Sequence, residues 1–177
     1  MSDAARQLLA QAQQARREHR LDDAKRNYSQ AAELCRAAGA AADLARALSG
    51  LGQIERDLHN LPDAGKYYEE AVGIWRTEGD PLHIAHTVRH LADIHRHVGR
   101  MQEADVGYGE ALSLYRQHHS PLDLANTLRG YALLKEHQGE LETAHQLWEE
   151  ARDLYAALNV QEGVAESSRK LEQLGRK

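Results

Sequence analysis

Apolar residues along this chain recur in steps of three and four, and the same steps return forty residues later. One set falls at Leu44, Leu48, Leu51, Ile54 and Leu58, the next at Ile84, Val88, Leu91, Ile94 and Val98, and a third at Leu124, Leu128, Tyr131 and Leu134. Such steps place each set on one face of a helix. A second stripe follows each first one: Leu61, Ala64, Tyr68, Ala71 and Trp75, then Met101, Ala104, Tyr108, Ala111 and Tyr115, then Leu141, Ala144, Trp148, Ala151 and Tyr155. Alanine recurs on this grid at Ala24, Ala64, Ala104 and Ala144 and again at Ala31, Ala71, Ala111 and Ala151, with Tyr28, Tyr68, Tyr108 and Trp148 between them. Self-similarity at a fixed period of this size marks stacked helical repeats.

The breaks agree with the stripes. Gly99 and Gly139 lie between paired helices, where glycine takes the left-handed conformation that ends a helix. Asp80-Pro81 and Ser120-Pro121 pair an N-cap residue with proline at the first helical position, and Asn159 with Glu162 resembles a capping box. The pattern predicts helices near 3–18, 21–38, 41–58, 62–78, 81–98, 101–118, 121–138, 141–158 and 160–174, with no strand or linker. The expected organisation is one domain over 1–177, with repeats at approximately 3–40, 41–80, 81–120 and 121–159 and a terminal helix at 160–174. The alanines let two antiparallel helix backbones approach where they cross, while larger neighbours fill the flanking grooves.

These residues resemble tetratricopeptide repeats. One copy reads Val88, Leu91, Ala92, Gly99, Met101, Ala104, Tyr108, Ala111; the next reads Leu128, Tyr131, Ala132, Gly139, Leu141, Ala144, Trp148, Ala151. The resemblance implies an all-α, right-handed superhelical solenoid of antiparallel helix pairs, about nine helices in all. The repeat is forty residues rather than the usual 34, which is similar to the longer-helix variety found in scaffold and regulatory proteins. At the family's first-helix tyrosine stand Glu55, His95 and Lys135, with Ile54, Ile94 and Leu134 beside them to supply the packing.

The resemblance also implies a concave groove lined by the first helix of each pair, holding a segment of a partner protein. Carried over by the grid, its positions are Arg6, Leu9, Gln13, Arg16 and Arg17; Arg46, Ser49, Gln53, Arg56 and Asp57; His86, Arg89, Asp93, Arg96 and His97; Asn126, Arg129, Leu133, Glu136 and His137; and Glu166, Arg169 and Gln173. Arginine outnumbers acid in this set, whereas the whole chain carries a formal charge of −5. A recessed cationic surface on an acidic body attracts acidic partners, because low-dielectric walls focus the field and guanidinium binds carboxylate bidentately. The competing reading is internal pairing, for example Arg89 with Asp93 at i,i+4.

Eleven histidines change the picture further. His86, His90, Asp93 and His97 share one stripe of one helix, a spacing that suits metal ligation or a pH-sensitive groove. No further ligand is fixed at close range, so neither a metal nor another cofactor is expected. Cys35 sits on the grid position of Trp75, Tyr115 and Tyr155, which makes it a packed thiol rather than a nucleophile. The chain has no phosphate loop and no metalloprotease helix. One cysteine and no apolar run of about twenty residues point to a cytoplasmic protein away from membranes. The groove positions carry no aromatic for base stacking, so nucleic acid is not expected. The expected function is a non-enzymatic module binding an acidic protein or peptide segment through Arg46, Gln53, Arg56, His86, Arg89, His90, Asp93, Arg96, His97, Asn126, Arg129 and His137. The alternatives are a self-associating scaffold or a metal-binding regulator that uses the histidine stripe.

Overall fold

The computed structural model describes residues 3–175, and among them nine helices follow one another with no strand. They are α1 (Asp3–Arg17), α2 (Leu21–Ala37), α3 (Ala41–Asp57), α4 (Leu61–Glu78), α5 (Pro81–His97), α6 (Met101–Gln117), α7 (Pro121–Gln138), α8 (Leu141–Ala157) and α9 (Gln161–Leu174). No end departs from its predicted position by more than one residue.

Every turn between helices has one left-handed residue: His19, Gly39, His59, Gly79, Gly99, His119, Gly139 and Asn159, with φ between +51 and +81°. The next amide then donates to the carbonyl five residues back, as in Arg20 to Ala15 (2.8 Å), Asn60 to Glu55 (2.8 Å), Ser120 to Tyr115 (3.2 Å) and Val160 to Tyr155 (2.9 Å). This bond satisfies a carbonyl at the helix end and reverses the chain within two or three residues. Asn159 therefore ends α8 and does not cap α9; Val160 holds the N-cap position and makes no side-chain cap bond. Asp80 does cap α5, its carboxylate accepting from the His83 amide at 3.0 Å. Ser120 precedes Pro121 as expected, but its hydroxyl donates to Asp123 (2.7 Å) and accepts nothing from the helix.

The chain forms two compact units, Met1–Thr87 and Val88–Lys177, with α5 contributing to both. In the first unit α1 packs on α2, α2 on α3 and α3 on α4; in the second α6 packs on α7, α7 on α8 and α8 on α9. All eight grid alanines have no exposed surface, and the aromatics between them are buried. Each unit places its large rings against small residues of a neighbouring helix. A methyl group built on Gly50 would lie 2.4 Å from the Tyr28 ring, and one on Gly130 would lie 2.9 Å from Tyr108. Cys35 is buried among these residues, and burial pushes its thiol above the ordinary range.

Two buried charges sit at the position where tyrosine was expected from the family pattern. In the first unit Glu55 of α3, 2% exposed, pairs with Lys25 of α2 (2.7 Å) and accepts from Asn60 (2.9 Å). In the second unit Lys135 of α7, 7% exposed, lies between Asp105 (2.5 Å) and Glu140 (3.1 Å) and over the Tyr131 ring. The same seam between successive helix pairs therefore carries opposite charge polarity in the two units.

Candidate functional site

In the first unit, the face made by α1 and α3 gathers guanidinium groups around one acid. Arg16 of α1 reaches Asp57 of α3 with Nε (3.2 Å) and Nη2 (3.1 Å), and Arg56 reaches the other oxygen of the same carboxylate (3.3 Å). Their placement follows from the grid: Arg16 and Arg56 lie one repeat apart at the C-terminal ends of their helices, where a cation also complements the helix dipole. Arg17, next to Arg16, donates to Gln14 (3.1 Å). Arg46, ten residues before Arg56 on α3, pairs with Asp43 (2.7 Å) and stands 5.7 Å over the Trp75 ring. His83 stacks on the Trp75 ring at 4.2 Å and is held by Asp80 (2.8 Å). Gln53 is half-buried on α3, and Leu9, expected on the groove, is buried in the core.

In the second unit Arg89 and Arg129 meet neighbouring acids, and Arg96 bonds to Tyr108 and His97. Arg89 lies 3.5 Å from Asp93, and its Nη2 donates to Nε2 of His90 at 2.9 Å. Asp93 also accepts from Tyr108 (2.6 Å), whose hydroxyl receives a bond from Arg96 Nε (3.3 Å). Burial, with Asp93 beside it, pushes the Tyr108 phenol far above its usual range, so it acts as a fixed donor. Arg96 also donates to His97 (3.2 Å). Arg129 makes a fork-on-fork pair with Glu166 of α9, Nε to Oε2 at 2.7 Å and Nη2 to Oε1 at 3.0 Å, and this carboxylate holds the Arg129 proton more firmly than usual. Asn126 accepts from Tyr155 (2.8 Å), and Glu136 accepts from Trp148 (2.7 Å) and Lys170 (2.9 Å).

The histidine stripe is dispersed by environment. His90 is buried, His86 is half-buried, and His97 and His137 are exposed. Among the described residues, no group of three or more His, Cys, Asp or Glu side chains is placed to hold a metal ion. Three other histidines, His19, His59 and His119, occupy left-handed turn positions, so turn geometry accounts for part of the histidine content. The sequence reading missed the Glu55 and Lys135 seams and the role of Lys170. The signal for the seams was present, since a charged residue replaced a packing tyrosine, but its partner 30 residues away required the helix-to-helix register. A recess of about 340 Å³ lined by Tyr115, His119, Pro121, Leu124 and Leu154 lies apart from the residues expected to bind. No helix among the described residues is long and apolar enough to cross a membrane.

No curated protein matches the chain. Solved structures share its fold, among them these three. BtubC (BKLC) from P. vanneervenii is 22% identical with a TM-score of 0.76, over 84% of this chain and 61% of that one. The apo form of RapI is 13% identical with a TM-score of 0.88, over 93% of this chain and 60% of that one. A signal-transduction ATPase with numerous domains from Pyrococcus horikoshii, which carries a tetratricopeptide repeat sensor, is 17% identical with a TM-score of 0.82, over 94% of this chain and 26% of that one. The chain thus spans about three-fifths of the first two and about a quarter of the third. The tetratricopeptide repeat family model matches residues 43–117 and 82–157. The match runs over α3 to α8, and with nine helices and no strand among the described residues the chain belongs to the tetratricopeptide repeat family, an all-α helical-repeat solenoid.

Proposed function

We propose that this protein is a non-enzymatic interaction module that binds an acidic segment of a protein or peptide on its first-helix faces. The family mediates protein–protein interaction, which supports the coarse reading. The finer reading rests on one observation: Arg16 and Arg56 converge on the single carboxylate of Asp57. The two guanidiniums carry the fork geometry that binds a carboxylate through two parallel hydrogen bonds. Gln53 and His86 add hydrogen-bonding positions in the first unit; in the second unit Arg89, Arg96 and Arg129 serve as carboxylate partners, with His97, His137 and Asn126 as hydrogen-bonding neighbours. His90 and Asp93 orient Arg89 from the buried side. The single buried thiol suits a cytoplasmic location.

The test is charge reversal. Arg16→Glu with Arg56→Glu should weaken binding of a labelled glutamate-rich peptide by about tenfold or more, as expected for groups that meet ligand charge directly. Circular dichroism should keep its helical signal. Undiminished binding by the folded variant would place the interface elsewhere.

A further inference from the structure

The last helix offers the groove a carboxylate of its own. Glu166 stands at the grid position occupied in the earlier pairs by Arg6, Arg46, His86 and Asn126, none of them acidic. Its two oxygens fill the Nε and Nη2 donors of Arg129, the geometry that an incoming carboxylate would adopt. Both side chains keep solvent access, 43% for Arg129 and 26% for Glu166, so exchange of one acid for another needs no core rearrangement. The helix that carries Glu166 is thinly anchored. Only Gly163, Ser167 and Leu171 of α9 are buried, whereas α7 buries eight residues. Its remaining charged tie to α7 is Lys170 on Glu136 at 2.9 Å. Elements with few buried contacts open at lowest free energy.

We infer that Glu166 is an internal competitor, occupying Arg129 in the free protein and yielding it to an acidic partner, so that α9 sets the affinity of the second unit's face. This rests on the acidic-partner reading above. The two are separated by measuring fluorescence anisotropy of a fluorescein-labelled hexaglutamate peptide with the full chain. Glu166→Gln keeps the shape and neutralises the competitor, and should tighten binding about three- to fivefold, the range of a partly exposed bidentate pair. Glu162→Gln, an exposed acid on the same helix, should change it by less than about twofold. In an Arg129→Gln background, Glu166→Gln should have no effect. Equal tightening by Glu162→Gln and Glu166→Gln, or tightening that persists without Arg129, would overturn the competitor. Wild-type binding left unchanged by Glu166→Gln would overturn the competitor and leave the groove standing. Absence of peptide binding in every variant would remove both.

Discussion

At the scale of single residues, the backbone asks for one left-handed residue every twenty positions, and the chain answers with four glycines, three histidines and one asparagine. A side chain in that conformation costs about 1–2 kcal/mol, less for Asn and His than for branched residues. His119→Gly should therefore raise stability by up to about 1 kcal/mol, and Gly139→Ala should lower it by about 1–2 kcal/mol, both read from thermal melts by circular dichroism. A fall on His119→Gly would mean that the imidazole makes a contact worth more than the strain. Two other glycines show how little the residue type alone discloses. Gly109 of α6 has open space around it, and Gly109→Ala should stabilise by about 0.5–1 kcal/mol. Gly130 of α7 faces the fully buried Tyr108 and Asp93, and Gly130→Ala should destabilise by about 1–3 kcal/mol. Gly99 and Gly139 are recognisable as helix stops in the sequence because glycine advertises the conformation. His19, His59 and His119 are not, because histidine has other uses and only its place twenty residues from a glycine marks it.

At the scale of helices, stripe and period are enough to locate every element, since each alanine and aromatic of the grid can be buried only one way. The seams between helix pairs are less legible, because they depend on which rotamers meet across two helices. Removing the exposed half of a seam differs from removing its buried half. Lys25→Met leaves the Glu55 carboxylate buried with only the Asn60 amide, at a cost of about 3 kcal/mol. Lys135→Met removes the buried charge itself and leaves Asp105 and Glu140 with solvent access, so its cost should stay below about 1 kcal/mol. Denaturant melts giving equal losses would overturn this account. Helix α5 carries a pH-dependent cap. The His83 amide, and after it the His83 ring, hold the Asp80 carboxyl below its ordinary value, outweighing the opposing effect of burial. A depressed folded-state value means that the cap stabilises above the ordinary Asp range and is lost as pH falls through it. Asp80→Ala should cost about 1 kcal/mol at neutral pH, and the gap from wild type should start to close as pH falls below the ordinary Asp value and vanish below the depressed folded one. A gap constant with pH would place the Asp80 contribution outside its ionised carboxylate.

At the scale of the whole molecule, a chain of net charge −5 places more of its arginines on the first helices of its pairs than on the second. That partition is legible from the grid, but the pairing that reduces it is not. Arg16 meets Asp57 across 41 residues and Arg129 meets Glu166 across 37, distances set by how neighbouring first helices lie side by side. The outer helices show the same logic with a repeat of their own: Arg36 with Glu70 and Arg116 with Glu150 occupy identical grid positions, each at 2.7 Å. Counted at the groove positions alone, leaving aside the Arg6–Asp3 and Arg46–Asp43 pairs, the two units are unequal. On α1 and α3 the groove positions hold Arg6, Arg16, Arg17, Arg46 and Arg56 with one acid, Asp57, which bonds to Arg16 and Arg56. In the second unit the groove positions hold Arg89, Arg96, Arg129 and Arg169 with Asp93, Glu136 and Glu166, of which Glu136 bonds to Trp148 and Lys170. Electrostatic attraction for an acidic segment should therefore be carried mainly by the first unit. Arg17→Glu with Arg46→Glu, away from the Arg16–Asp57 pair, should weaken a glutamate-rich peptide by about tenfold, whereas Arg96→Glu with Arg169→Glu should cost about threefold. Raising the salt from about 0.05 to 0.5 M shortens the screening length severalfold and should erase most of that difference. Titration calorimetry of both variants at the two salt concentrations reads this directly. Equal losses, or a difference that survives high salt, would show that shape rather than charge selects the partner.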